Sequence, residues 1–186
     1  MKYLFFGACA AAFLGGLITG ESAFGAEAKA DIWHTPQSEI ECIAKNIYWE
    51  ARNQQTKGMI GVALVSRNRV IDNRFPHSYC EVIQQGPTRK SWKDPNVEIP
   101  LRDRCQFSWY CDGLSDDIPT VDRDVYQFAL SIAFKIYYGE LTDFTDGATH
   151  YHATYVKPEW ASTKTKTIKI DDHIFYRWES GEKRDF

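Results

Sequence analysis

The chain of 186 residues has no Cys-x-x-Cys pair and no His-Glu-x-x-His run. Those are local spacings by which zinc sites show themselves, so neither signature is available here. There is no internal repeat, which argues against solenoids and arrays. Beyond the first 25 residues no stretch is apolar enough to span a bilayer. Neither sign of charge dominates. Lys and Arg number 22 against 25 Asp and Glu, for a net charge of −3 and no basic face of the kind nucleic-acid binding requires. What the chain does hold is aromatic: 6 Trp, 10 Tyr and 11 Phe. Aromatic rings fill cores, and they also form the flat platforms on which sugars stack. An apolar fraction of 44% and a charged fraction of 25% are ordinary for one globular domain.

The N-terminus reads as a targeting segment. Lys2 precedes an apolar run from Leu4 to Ile18, and Ala23-Phe24-Gly25 puts small residues where a signal peptidase reads. Residues 1–25 are therefore expected to be a signal peptide, and 26–37 a polar leader. An uncleaved anchor is the competing reading, but the run is shorter than the roughly 20 residues a spanning helix wants. Cys9 lies too early to be a lipoprotein cysteine. Cleavage removes Lys2 and Glu21, leaving the net charge unchanged. Four cysteines remain: Cys42, Cys80, Cys105 and Cys111. An even number in an exported chain predicts two disulfides, in any of three pairings, with the short Cys105–Cys111 loop slightly favoured.

Residues 38–178 form the predicted domain, with 179–186 a polar tail. Ser38 with Glu41 three residues on reads as a capping box, and Ile40, Ile43, Ala44, Ile47 and Ala51 recur at helical spacing. A second helix is expected over Thr56–Val70. Its Gly58 and Gly61 suggest close packing against another helix. From Tyr79 to Ser115 the pattern predicts a long loop bracketed by cysteines. Thr120 is expected to cap a third helix that ends at Gly139, with an apolar stripe through Val121, Val125, Phe128, Ala129, Ile132, Ala133, Ile136 and Tyr137. The rest reads as strands and turns, with candidates at 148–153 and 173–178. The sum is a mainly helical α+β domain.

Glu50 is the residue that asks for an explanation. It lies at i+7 from Ile43 and i+3 from Ile47, on the buried stripe, and in the last turn, where the helix dipole disfavours negative charge. Burial and the dipole both raise a carboxyl pKa, which suits a proton donor. The competing reading is a surface Glu paired with Arg52 or Lys57. In Cys105-Gln106-Phe107-Ser108-Trp109 a strand would point Gln106 and Ser108 one way and Phe107 and Trp109 the other. Such an edge could hydrogen-bond sugar hydroxyls; the alternative is a core strand beside a disulfide. His150 and His152 alternate likewise, and with His173 make a conceivable zinc set. A thiol hydrolase would need a free cysteine, which disulfides consume.

Several segments in order carry a resemblance: 44–52 (AKNIYWEAR), 61–70 (GVALVSRNRV), Phe75-Pro76, 80–83 (CEVI), 105–109 (CQFSW), 148–152 (ATHYH), Trp160 and 173–176 (HIFY). Together they resemble the cell wall hydrolase family of the spore cortex-lytic enzyme (SleB/CwlJ) type. The resemblance implies a lysozyme-like fold with a substrate cleft between lobes. It implies that Glu50 is the catalytic acid and that Arg52, Gln106, Phe107, Ser108, Trp109, His150, Tyr151 and Trp160 contact substrate. The implied activity is cleavage of peptidoglycan glycan strands between N-acetylmuramic acid and N-acetylglucosamine, by a lytic transglycosylase or muramidase-type enzyme without metal or other cofactor. The chain is expected to act as a monomer, to bind no nucleic acid and to keep no membrane insertion after cleavage. It shows no separate peptidoglycan-binding repeat, and its cysteines suit a periplasmic or extracellular setting. No second acid has a family-matched position, and Asp112 in its Cys-Asp-Gly turn looks structural. One carboxyl serving as acid and then base points to a transglycosylase. A zinc-dependent amidase and a non-catalytic wall-binding module are the competing functions.

Overall fold

The computed structural model describes residues 35–179. The expected signal peptide, Cys9, the leader through residue 34 and residues 180–186 of the tail lie outside the described residues.

Three long helices make the frame. α1 (Pro36–Ala51) packs against α2 (Thr56–Ile71) and α4 (Arg123–Tyr137). Ile43, Ile47, Val62, Leu64, Ala133 and Ile136 are fully buried where they meet. α1 starts earlier than the expected cap. Thr35 accepts from the Ser38 amide at 3.2 Å, and Pro36 takes the first helical position, where its fixed φ and missing N–H cost nothing. Glu41 accepts from the Gln37 side chain instead of closing a capping box. That motif appears later. Ser78 accepts from the Glu81 amide, and their side chains also bond, opening the short helix α3 (Tyr79–Ile83) inside what the sequence pattern read as loop.

α3 is bound to α1 twice. Cys42 pairs with Cys80, and the buried Glu39 carboxylate accepts from the amides of Tyr79 and Cys80 at 2.5 and 3.4 Å. The loop that follows holds a small antiparallel hairpin, β1 (Thr88–Lys90) with β2 (Glu98–Pro100), and a 3-10 turn at Ser108–Cys111 closed by the Cys105–Cys111 disulfide. The third predicted helix begins after Thr120, which opens a 3-10 turn leading into α4. Its buried stripe is Ala129, Ile132, Ala133 and Ile136. Val121 is 88% exposed and Phe128 is exposed too, so neither belongs to it. The Tyr48 hydroxyl donates to Asp122 and ties α1 to the start of α4.

The second layer is an antiparallel sheet in the order β3 (His150–Ala153), β5 (His173–Arg177), β4 (Thr165–Ile170). β3 and β5 fall on the two predicted strands, with His150 opposite Tyr176 and Ala153 opposite His173. β4 is added on the far side of β5. The sheet packs on α2 through Val65, Ala148, Ile170 and Phe175. Here the helical glycines find their reason, and it is the sheet end rather than another helix. A Cβ on Gly61 would lie 2.8 Å from Phe175 Cζ, and one on Gly58 would lie 2.7 Å from Asp171 Oδ2 at the β4–β5 turn.

Because Phe175 is fully buried and cannot retreat, Gly61→Ala is expected to destabilise the protein by about 1–3 kcal/mol despite alanine's better helix propensity. Urea denaturation with unchanged slope measures this, and a neutral or stabilising result would show that the contact is loose.

Candidate active site

The chain brings Glu50 into a groove of about 560 Å³ that is lined by α1, the 106–112 loop and β3. Each wall has a positioning device. Glu50 stands in the last turn of α1, two residues after the fully buried core tyrosine Tyr48. The 106–112 loop is anchored from beneath. Trp109 donates its indole N–H to buried Asn46 of α1 at 3.0 Å, and Asn46 donates to Ser66 of α2. β3 is set by the C-terminal half of α2. Asn68 donates to the Ala148 carbonyl at 3.0 Å, and Arg69 donates to the Thr149 carbonyl at 2.7 Å. Two residues later Tyr151 faces Glu50, and its hydroxyl donates to Glu50 Oε2 at 2.8 Å.

The partner of Glu50 is neither Arg52, whose guanidinium lies 5.0 Å over the rings of Tyr48 and Trp49, nor Lys57, whose ammonium lies over Phe144. Burial pushes the Glu50 carboxyl above its ordinary pKa, against the opposing pull of the Tyr151 hydrogen bond and the Arg69 charge. Burial and the Glu50 charge hold the Tyr151 phenol far above its own ordinary range, so it stays protonated and keeps donating. The pair is therefore a carboxyl held above its ordinary pKa and a hydroxyl that fixes one of its oxygens.

All nine residues expected at a site, namely Glu50, Arg52, Gln106, Phe107, Ser108, Trp109, His150, Tyr151 and Trp160, line this one groove. The 105–109 segment is not a strand. It is a loop entering a 3-10 turn, yet the expected alternation of facing survives. Phe107 and Trp109 are buried, and Gln106 and Ser108 are exposed. His150 and His152 share one face of the sheet, beside the Trp160 ring at 5.3 and 5.7 Å. His173 belongs to the other face, with Tyr151 and Phe175. The conceivable zinc trio is thus split by the sheet. Among the described residues no three His, Cys, Asp or Glu side chains are grouped to hold a metal ion. His152 Nδ1 faces the Ala153 carbonyl at 2.8 Å and so carries a proton, while Nε2 lies 3.0 Å from the Tyr176 hydroxyl. Burial pushes His150 down to about 3, so its ring is neutral at ordinary pH.

Trp49, Arg69, Asp112, His152, Ala153, Tyr155 and His173 also line the groove. Arg69 carried a sequence signal that went unused. It lies seven residues after Val62 and four after Val65, so a full charge sits on the buried stripe of α2. Asp112 reads in sequence as a turn residue, and Oδ1 does accept from the Leu114 amide at 2.8 Å. The same carboxylate nonetheless lines the groove.

Residues 53–176, two-thirds of the chain, match the family described as Cell Wall Hydrolase. The chain belongs to the cell wall hydrolase family. The match begins three residues after Glu50, so the groove geometry and not that match draws attention to the carboxyl. Two solved structures share the fold of this family member. One is the catalytic domain of the germination-specific lytic transglycosylase SleB from Bacillus anthracis, at 23% identity over 77% of this chain and 98% of that one, with a TM-score of 0.55. The other is the catalytic domain of SleB from Bacillus cereus, at 24% identity over 76% and 91%, with a TM-score of 0.54. No curated protein matches the sequence.

A carboxyl whose folded pKa is raised favours folding below the unfolded value of about 4.3 and loses that contribution as pH rises through the folded value. Glu50→Gln, which can still accept from Tyr151, is therefore expected to raise Tm at pH 7–8 and to leave it unchanged near pH 4. Each pKa unit of displacement corresponds to about 1.4 kcal/mol, or roughly 3–6 °C in a domain of this size. Calorimetric scans across pH check this. A Tm difference that does not vary with pH would place the carboxyl in ordinary solvent.

Proposed function

We propose that this enzyme cleaves the glycan strand of peptidoglycan between N-acetylmuramic acid and N-acetylglucosamine, as a lytic transglycosylase with Glu50 as acid and then base. The observation that carries the reading is the desolvated Glu50 carboxyl held by Tyr151 within a groove of polar and aromatic side chains. Membership of the cell wall hydrolase family supports it, as does the likeness in fold to a domain described as a lytic transglycosylase.

In this reading Glu50 gives its proton to the glycosidic oxygen as the bond from that oxygen to muramyl C1 breaks, and the N-acetylglucosamine end leaves as an alcohol. The carboxylate then takes the proton of the muramyl C6 hydroxyl while O6 bonds to C1. The product is a 1,6-anhydro end, no water is consumed, and Glu50 is protonated again. Tyr151 occupies one carboxyl oxygen throughout and leaves the other for the proton. Gln106 and Ser108 offer polar groups to the sugars, while Trp160 and His150 offer a flat wall. The apolar run at 4–18 and two disulfides fit a chain that works outside the cytoplasm, in the periplasm or beyond.

Hydrolysis is the second reading, favoured by Asp112 in the same groove. A hydrolase needs two carboxyls across the scissile bond. On purified sacculi, Glu50→Gln is expected to lose at least about 100-fold in rate. Asp112→Asn should stay within a few-fold of wild type, and a chelator should have no effect. Mass spectrometry should show anhydro ends. Reducing ends only, with activity lost in Asp112→Asn, would establish hydrolysis instead. Release of peptides from intact glycan, inhibited by chelator, would establish an amidase.

The Tyr151 hydrogen bond lowers the Glu50 pKa, so its removal raises it further. Activity that needs the protonated acid falls as pH rises through that value. Tyr151→Phe is therefore expected to shift the alkaline limb of the kcat/KM profile to higher pH while lowering its plateau. A limb that stays in place would show that the alkaline fall belongs to another group.

A further inference from the structure

Arg69 is a charge that feels Glu50 across the site but has no carboxylate bonded to it among the described residues. It is 5% exposed, on the buried side of α2, yet it borders the groove beside Glu50. Its guanidinium carbon lies 5.2 Å from the ring centres of both Phe75 and Phe107, so two aromatic faces pack against it. Nε donates to the Thr149 carbonyl at 2.7 Å. Nη1 is buried and bonds to nothing, and among the described residues no carboxylate pairs with the guanidinium. Taking an arginine out of water is costly, and one carbonyl with two ring faces repays only part of that cost. A guanidinium that borders a groove with no carboxylate bonded to it is a group arranged for an acceptor that arrives from outside.

We propose that Arg69 is a substrate-binding residue whose guanidinium donates, from its groove side, to an acyl carbonyl oxygen on the bound glycan, either an acetamido oxygen or the oxygen of a muramyl lactyl amide. The chemistry selects this partner. A guanidinium has five donors and no acceptor, so it suits an oxygen that only accepts. Ring hydroxyls both give and take, whereas acyl oxygens on the sugar substituents only take. The Nε bond to Thr149 and the neighbouring Phe75 and Phe107 rings restrain the guanidinium before substrate enters, so little is lost in ordering it. Arg69 also fixes the backbone at Thr149, two residues before Tyr151, so the same side chain that reads the substituent sets the strand that holds the acid. The inference rests on the glycan-cleaving reading.

The test uses the Glu50→Gln protein, which is expected to bind glycan without cutting it. Calorimetric titration is run with a tetramer of N-acetylglucosamine and with a muramyl-containing tetrasaccharide that carries its peptides. Adding Arg69→Met is expected to weaken binding at least about tenfold, the worth of one hydrogen bond to a charged group. Weakening with both ligands identifies the acetamido oxygen, and weakening with the muramyl ligand alone identifies the lactyl amide. Equal affinity with and without Arg69 overturns the inference. Failure of the Glu50→Gln protein itself to bind either saccharide overturns the glycan reading and this inference with it. A second readout does not depend on how the Arg69 variant folds. The Arg69 Nε–H resonance of the Glu50→Gln protein should move on saturation with the ligand that binds, and a stationary resonance at saturation overturns the inference.

Discussion

The Glu50 carboxyl and the Tyr151 hydroxyl meet across the seam between α1 and β3, in a place where water cannot solvate either group well. Much of the rest of the structure follows from keeping that contact in register. A carboxyl in the last turn of a helix would ordinarily lean into solvent and ionise. Here the strand opposite supplies a donor that never loses its own proton, and burial outweighs both that hydrogen bond and the nearby Arg69 charge. The result is an acid that is oriented and yet held above its ordinary pKa, two properties that usually oppose each other, because hydrogen bonds that orient a carboxyl also tend to ionise it.

Holding a helix residue against a strand residue 101 positions away requires rigid intermediates. α2 is the main one. Its glycine at 61 lets Phe175 of the central strand sit against the helix backbone, and Asn68 and Arg69 hold the carbonyls of Ala148 and Thr149 just before β3. The third wall, the 106–112 loop, has no strand to stiffen it. It relies on the Cys105–Cys111 bridge below and on Trp109 hydrogen-bonded to Asn46, which is itself buried between α1 and α2. The buried Asn46 and Ser66 side chains serve to aim the loop, and the Trp109–Asn46–Ser66 chain of hydrogen bonds satisfies both.

How far the sequence could be read depended on whether a signal was local. The three long helices carry apolar residues at helical spacing, and their existence was legible, with errors of a few residues at the ends. Those errors have particular causes. Pro36 outcompeted Ser38 as the start of α1, and a 3-10 turn delayed α4 beyond Thr120. α3 and the β1–β2 hairpin have no legible signal because five- and three-residue elements have no period to count; α3 exists because Glu39 and the Cys42–Cys80 bridge hold it, and the hairpin is held by its own cross-strand bonds. The 105–109 segment is the instructive case. Its alternation correctly divided Gln106 and Ser108 from Phe107 and Trp109, although the backbone is not a strand, since what alternation reports is which side chains are buried.

By itself the sequence determined the α+β class, the even set of cysteines, the membership of residues in one family pattern and the oddity of an acid on an apolar stripe. Each is a property of composition or of spacing along a few turns, and spacing is fixed by the geometry of the helix and the strand. Only the tertiary structure decided that Tyr151 rather than Arg52 or Lys57 meets Glu50, that His173 lies across the sheet from His150 and His152, which cysteines pair, and that Arg69 and Asp112 reach the groove. Those facts depend on contacts between residues far apart in the chain. No local rule ranks such contacts, because the competing pairings differ only in how well the whole core packs.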